Sequence, residues 1–255
     1  MQISVVVISY NEERNLGRCL ASVQEIADEI IVLDSFSTDG TVAIAERYGA
    51  KVFTNAFKGH IEQKNLALNY ASNRWVLSLD ADEAIDVFLK QSILDLKQRG
   101  PDDNIAGYRM NRLTNYCGKW IKHSGWYPDT KTRLFNKTTG KWGGENPHDK
   151  WEAAGTKFGK LKGDLLHYSF YTINEHLQKI ERYTEIAAKQ RISKGKRYNL
   201  LKIGTVPVWV FILNYIFRLG FMDGYYGYIV CKLQAFETWL KYNKVRIYSQ
   251  DQSKA

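Results

Sequence analysis

An α/β fold on a mostly parallel sheet, with helices on both faces, is predicted by three observations. Through the first hundred residues, short β-branched apolar runs alternate with stretches whose apolar positions recur at helical spacing. Each run stops abruptly in turn-forming or acidic residues, as strands do where ligands gather beyond their carboxyl ends. With 255 residues, 44% hydrophobic and 25% charged, the chain is long enough for one large core plus an appendage.

The run at 3–8, Ile-Ser-Val-Val-Val-Ile, reads as a strand covered on both faces. It ends in Ser9-Tyr10-Asn11-Glu12, where Asn11 is placed to cap a helix carrying Leu16, Leu20 and Val23 with Cys19 beside them. The start of such a helix at a strand end favours an anion. No G-x-G-x-x-G follows the strand, so a dinucleotide fingerprint is absent. A second unit repeats the plan with a strand over 29–34, a loop over 35–41 and a helix through Val42, Ala45 and Tyr48. In that loop Ser37 suits a cap and Asp39-Gly40 a turn.

A third unit pairs a strand at 51–53 with a helix over 61–72. There Gln63-Lys64-Asn65 is either an exposed face or a means of bringing Lys64 to a phosphate as a point charge. The fourth strand, Trp75 to Leu79, runs into Asp80-Ala81-Asp82-Glu83. Asp80 and Asp82, two apart on an extended backbone, leave the same face. Two hard oxygen donors there suit Mg²⁺ or Mn²⁺, which commonly holds a diphosphate through one or two carboxylates and water. The competing account is a solvated acidic turn.

Beyond residue 100 the pattern changes. A loop at 101–104 precedes a strand from Ala106, and 116–129 is dense in aromatics and glycine, as in a substrate-facing loop or, more commonly, an ordinary core of buried Trp and Tyr. Residues 132–136 and 140–144 read as the arms of a hairpin that delivers Glu145-Asn146-Pro147-His148-Asp149. His167 reads as a satisfied core or interface histidine and not as a ligand. The remainder is helical: amphipathic over 173–192, basic over 189–202, and strongly apolar over 206–217. At about a dozen residues the apolar stretch falls short of the roughly 20 needed to span a bilayer. It fits an in-plane anchor or a packing or dimer surface.

The formal net charge of +9 favours anionic partners. Three separated cysteines, Cys19, Cys117 and Cys231, argue against a zinc site or a disulfide framework and fit a reducing compartment. The start of the chain has no basic region before its first apolar run, so no signal peptide is expected and a cytosolic protein is.

Ile-Ser-Tyr-Asn-Glu at 8–12, Leu-Asp-Ser-Phe-Ser-Thr-Asp-Gly-Thr at 33–41, Gln63-Lys64-Asn65 and Asp80-Ala81-Asp82-Glu83 together resemble family 2 glycosyltransferases of the GT-A fold. The resemblance implies that Ser9, Tyr10, Asn11 and Glu12 line a nucleotide pocket, that Asp34 meets base or ribose, that Asp80 meets ribose or diphosphate, and that Asp82 holds the metal. Many relatives carry a second acid, often on uracil, where this chain has Ser35. Asp149 is then the general base of an inverting transfer, with Glu145 and Asp129 as alternatives, and His148 either completes the metal shell with Asp82 and Asp80 or positions the acceptor.

The apolar segment 206–217, with Arg-Leu-Gly-Phe-Met-Asp-Gly at 218–224 and the aromatic helix to Tyr242, resembles the tail of bacterial lipopolysaccharide-core β-1,4-glucosyltransferases. The expectation is therefore a GT-A domain over 1–168 and a helical extension over 169–255, using UDP-glucose and Mg²⁺ or Mn²⁺. The acceptor expected is a lipid-linked or lipopolysaccharide-core saccharide, at the inner face of the cytoplasmic membrane. A second copy is a further possible partner and nucleic acid is not one. A sugar-phosphate nucleotidyltransferase, the first rival, would carry a Gly-rich, Arg-containing loop after its first strand. The second rival is a degenerate membrane-bound scaffold that keeps the fold and loses metal binding.

Overall fold

β1 (Ile3–Ser9), β2 (Glu29–Asp34), β3 (Lys51–Thr54) and β4 (Trp75–Asp80) run parallel in the order β3-β2-β1-β4. The structure, a computed structural model, describes residues 1–251 apart from 103, 147 and 154–156, and leaves the side chains of His148 and Asp251 undescribed. β1 is apolar almost throughout because both its faces are covered. Val5 and Val7 enter one core with Leu16, Leu20 and Val23 of α1 (Leu16–Val23), while Val6 enters the other with Ala67 and Leu68 of α3 (His60–Tyr70). Leu16, Leu20 and Val23 are fully buried, each contributing about 1.5–3 kcal/mol. α2 (Thr41–Arg47) adds Ala45 to the first core.

Asn11 does not cap α1. Its backbone is left-handed, with φ 51°, and its Oδ1 accepts the Thr38 N–H at 2.8 Å, so it ties the β1 loop to the β2 loop. The helix starts later, after a turn in which the N–H groups of Asn15 and Leu16 both donate to the Glu12 carbonyl.

Past β4 the sheet becomes antiparallel. After β5 (Glu83–Ile85) and α4 (Val87–Arg99), which Asp86 caps by accepting the Leu89 N–H at 2.6 Å, come β6 (Ile105–Tyr116), β7 (Lys119–Ile121) and β8 (Asp129–Asn136). The sheet order continues from β4 through β8, β6 and β11 (Lys157–Phe170) to β5. β8 is antiparallel to both β4 and β6, so the sheet is mixed and parallel only in its first half. The expected hairpin is a second departure. β9 (Gly140–Glu145) pairs with β10 (His148–Ala153) in a separate two-stranded sheet, because both edges of β8 are already taken. Trp142 and Trp151 anchor this small sheet against Phe135, with Trp151 stacked on that ring at 3.7 Å between centroids.

Two units are distinguished by their internal contacts: Met1–Leu113 with Asp129–Tyr168, and Thr114–Pro128 with Ser169–Ala255. The aromatic loop thus groups with the C-terminal helices and not with the sheet residues on either side of it. The reason is local: Tyr116 makes ring contacts with Phe170, His176 and Tyr226, and the Cys117 N–H donates to the Phe170 carbonyl at 2.8 Å. Within this second unit α5 (Ile173–Ser193) starts at a capping box between Thr172 and Glu175, and α6 (Leu200–Ile212) is capped by Asn199. α6 continues through a π-helical turn, Leu213–Phe217, to a left-handed Leu219, a short 3₁₀ turn at Gly220–Asp223, and α7 (Gly224–Asp251). Gly227 is required where the chain crosses itself, since a Cβ there would strike the Gly220 carbonyl. The apolar helical run is longer than expected, 18 residues from Leu200 to Phe217 with mean hydropathy 1.7, because Lys202 does not interrupt the helix. By length and composition it is long enough to cross a membrane.

Candidate active site

Parallel register lines up the strand ends: Ile8 lies opposite Asp80, and Ser9 opposite Asp34. Asp34 accepts from the Ser9 hydroxyl (2.9 Å), the Ser37 hydroxyl (2.6 Å) and the Ser37 N–H (2.7 Å). At 1% exposure, its carboxylate organises the β2 loop. Ser35 is fixed by Gln63, whose Nε2 donates to its hydroxyl at 3.0 Å. Tyr10 and Phe36, both 59% exposed, are the aromatic rings that these loops leave open, and Phe36 holds a left-handed backbone at φ 61°. Sequence reasoning passed over Phe36. A bulky residue at positive φ is uncommon and becomes visible only in the fold. Glu12 accepts from Asn15 Nδ2 at 2.7 Å. Burial, with Asp82, Asp39 and Asp80 nearby, pushes its carboxyl up to about 7.

The second cluster joins residues distant in sequence: Lys64, Asp80 with Glu83, Arg133 and Asp149. Lys64 Nζ lies 2.8 Å from Asp80 Oδ1 and 2.8 Å from Asp149 Oδ2, and its side chain is 1% exposed. Arg133 Nη2 reaches Asp80 Oδ2 at 2.6 Å and Glu83 Oε1 at 2.7 Å, while its Nη1 stands 3.9 Å from Asp149. Burial opposes ionisation of Asp80, but Arg133 and Lys64 outweigh it and hold the carboxyl well below its usual range. Gln63-Lys64-Asn65 is therefore not an exposed face. Gln63 and Lys64 are buried, and Asn65 clamps α3 to β9 by donating to the Trp142 carbonyl at 2.9 Å and accepting its N–H at 3.0 Å. Asn146, in the turn that leads to β10, accepts the Ile61 N–H at 3.1 Å. These bonds fix the small sheet bearing Asp149 to the helix bearing Lys64.

The alternative bases make other contacts. Asp129 is engaged by Arg112 (2.7 Å) and Lys131 (3.1 Å), which hold its carboxyl below the usual range against the opposing effect of burial. Glu145 is exposed at the end of β9 opposite His148. The expected metal role of His148 concerns a side chain outside the described residues.

Both oxygens of Asp80, expected as a metal donor beside Asp82, face cations: Oδ1 faces Lys64 and Oδ2 faces Arg133. Beside Asp82 stands His167, its Nε2 3.2 Å from Asp82 Oδ2. β11 brings it there through the pairing of His167 with Glu83 and the bond from Tyr168 N–H to the Asp82 carbonyl at 2.9 Å. Among the described residues no cluster of three His, Cys, Asp or Glu forms a closed metal site. A carboxylate and an imidazole with converging atoms suit Mn²⁺ better than the oxygen-preferring Mg²⁺, since neighbouring ligands of an octahedral ion lie about 3 Å apart and the substrate and water would supply the rest.

The sequence model of Glycosyl transferase family 2 matches residues 4–160. A glycosyltransferase of Rickettsia typhi is 32% identical over 96% of this chain and 87% of its own length. The lipopolysaccharide core biosynthesis glycosyltransferase LpsC of Rhizobium meliloti is 28% identical over 100% of this chain and 95% of its own. Among solved structures, a mannosyltransferase of Pyrobaculum calidifontis in complex with GDP-mannose and Mn²⁺ aligns over 96% of this chain and 86% of its own, with a TM-score of 0.58 at 13% identity.

Proposed function

From the premise that the chain belongs to glycosyl transferase family 2, we propose that it is an inverting, divalent-metal-dependent hexosyltransferase acting on a hydroxyl of a lipid-linked or lipopolysaccharide-core saccharide. UDP-glucose is the donor in this reading, from the resemblance of the 206–242 tail to lipopolysaccharide-core glucosyltransferases. The acceptor class is supported by the full-length similarity to LpsC, and such an acceptor places the enzyme at the inner face of the cytoplasmic membrane.

The observation that carries the reading is the meeting of Lys64, Asp80 and Asp149 beside the Asp82–His167 pair at the end of β4. Asp82 and His167 would hold the metal, which when bound neutralises charge developing on the departing diphosphate. Tyr10 and Phe36 offer faces for the base, and Ser9, Asn11 and Ser37 keep their loops in place. Asp149 takes the proton of the attacking acceptor hydroxyl. Lys64 holds Asp149 by Oδ2, which leaves its other carboxylate oxygen to accept that proton, while Arg133 keeps Asp80 in place.

A panel of nucleotide sugars, with mass analysis of products on a lipopolysaccharide-core oligosaccharide, tests this. Hexose transfer from UDP-glucose with Mn²⁺ is expected. Transfer from a different nucleotide sugar corrects the donor, and release of pyrophosphate from a sugar phosphate and a nucleoside triphosphate overturns the reaction class.

A further inference from the structure

The two units differ sharply in charge. Met1–Leu113 with Asp129–Tyr168 holds 20 Lys and Arg against 21 Asp and Glu, whereas Thr114–Pro128 with Ser169–Ala255 holds 16 against 6. The whole positive surplus of the chain therefore lies in the helical unit. The same unit leaves its apolar run bare: only 17% of the Leu200–Phe217 segment is buried. Ile203, Pro207 and Asn214 are its buried positions, spaced to fall on one stripe, and α6 packs with α7. Away from that stripe, Leu201 is 72% exposed, Trp209 54% and Phe217 65%, and Phe221 and Met222 extend the exposed apolar surface into the following turn. Lys194, Lys196, Arg197 and Lys202, all exposed, lie at or just before the start of the helix.

We propose that α6 and the turn after it form a docking face for an anionic phospholipid surface, with the helix lying in the plane of the membrane. The occupant follows from charge complementarity: lysines and arginines at the head of an uncovered apolar helix match phosphate headgroups over acyl chains. The in-plane orientation follows from α7. That helix carries Lys241, Lys244 and Arg246 and is joined to α5 by Lys244 Nζ on Glu181 Oε1 at 2.7 Å. Were α6 to span the bilayer, it would draw these charges into hydrocarbon or part from α7. The proposal rests on the transferase reading only in that a membrane-borne acceptor gives the surface its use.

Flotation of the full chain with liposomes tests it. Binding to phosphatidylglycerol vesicles at low salt is expected, with none to phosphatidylcholine alone and a loss of about tenfold or more in 0.5 M NaCl. Lys194→Gln, Lys196→Gln, Arg197→Gln and Lys202→Gln together should reproduce that loss with turnover of a water-soluble oligosaccharide acceptor unchanged. Trp209→Ser with Phe217→Ser should abolish flotation while leaving the basic block intact. Protein that turns over the soluble acceptor yet never floats overturns the proposal and leaves the transferase reading standing, whereas salt-sensitive flotation without turnover upholds the docking face alone. A stable dimer that the Trp209 and Phe217 changes convert to monomer, without flotation, assigns the face to a second copy. Retention through alkaline extraction overturns the in-plane orientation in favour of a span.

Discussion

Lys64 Nζ and Asp149 Oδ2 are held 2.8 Å apart across 85 residues of sequence, with the same ammonium 2.8 Å from Asp80 Oδ1. One cation thus bridges the carboxylate at the end of β4 and the carboxylate proposed to accept the proton.

Asp149→Asn keeps the shape of that contact and removes the proton acceptor. Its kcat should fall by about 10²-fold or more, with the dissociation constant for UDP near wild type, in steady-state kinetics and calorimetry. A loss of UDP affinity at unchanged kcat would reassign Asp149 to donor binding.

Lys64→Met leaves Asp80 and Asp149 facing each other with Arg133 alone to compensate. Breaking a buried ion pair on one side typically costs about 3–5 kcal/mol, and the remaining Arg133 contact should keep the loss at or below the low end of that range. Urea unfolding measures the stability change and titration with UDP measures the accompanying loss of affinity. An unchanged midpoint would show that the bridge contributes nothing to stability.

The pair proposed to hold the metal and the cation-held aspartate should behave differently. Asp82→Ala and His167→Ala should each abolish the enhancement of UDP binding by Mn²⁺. Asp80→Asn should weaken UDP binding but leave what remains responsive to Mn²⁺, since Asp80 answers to Lys64 and Arg133. Mn²⁺ titrations with EDTA controls separate the cases, and full Mn²⁺ dependence in the His167 variant would remove that residue from the metal shell.

Burial, helped by Lys179, holds the His176 imidazole down at about 4, and its Nδ1 sits 3.1 Å from the Tyr116 hydroxyl. Between its ordinary value and 4 the unfolded chain takes up a proton that the native protein refuses. The stability present above about pH 6.5 is therefore lost as pH falls toward 4, by about 3 kcal/mol in total from this residue. Melting temperatures across pH 4–7.5 should show the slope, and His176→Gln should flatten it. An equal slope in both proteins would place the acid sensitivity elsewhere.

The first half of the sheet was legible because each parallel strand, covered on both faces, leaves an unbroken β-branched run such as Val5-Val6-Val7. What escaped depended on partners remote in sequence. A polar triplet on a helix looks solvated, and nothing near Gln63-Lys64-Asn65 reveals that Ser35, Asp149 and the Trp142 backbone will meet it. Thr132 to Gly144 has the pattern of a hairpin, but strand pairing is decided by which edges remain vacant, and β4 and β6 fill both edges of β8. Asp80 and Asp82 read alike in sequence, where nothing shows that Lys64 and Arg133 meet the first, and the contact of His167 with the second becomes visible only through the antiparallel pairing of β11 with β5.

The excursion of residues 114–128 into the helical unit restricts how this enzyme can be recombined. A chimera cut once after Tyr168 would inherit Tyr116, now 0% exposed, without the Phe170, His176 and Tyr226 rings that enclose it, and would present a bare aromatic cluster to solvent. A transplant of the C-terminal helices from one relative to another therefore has to exchange two stretches of sequence at once.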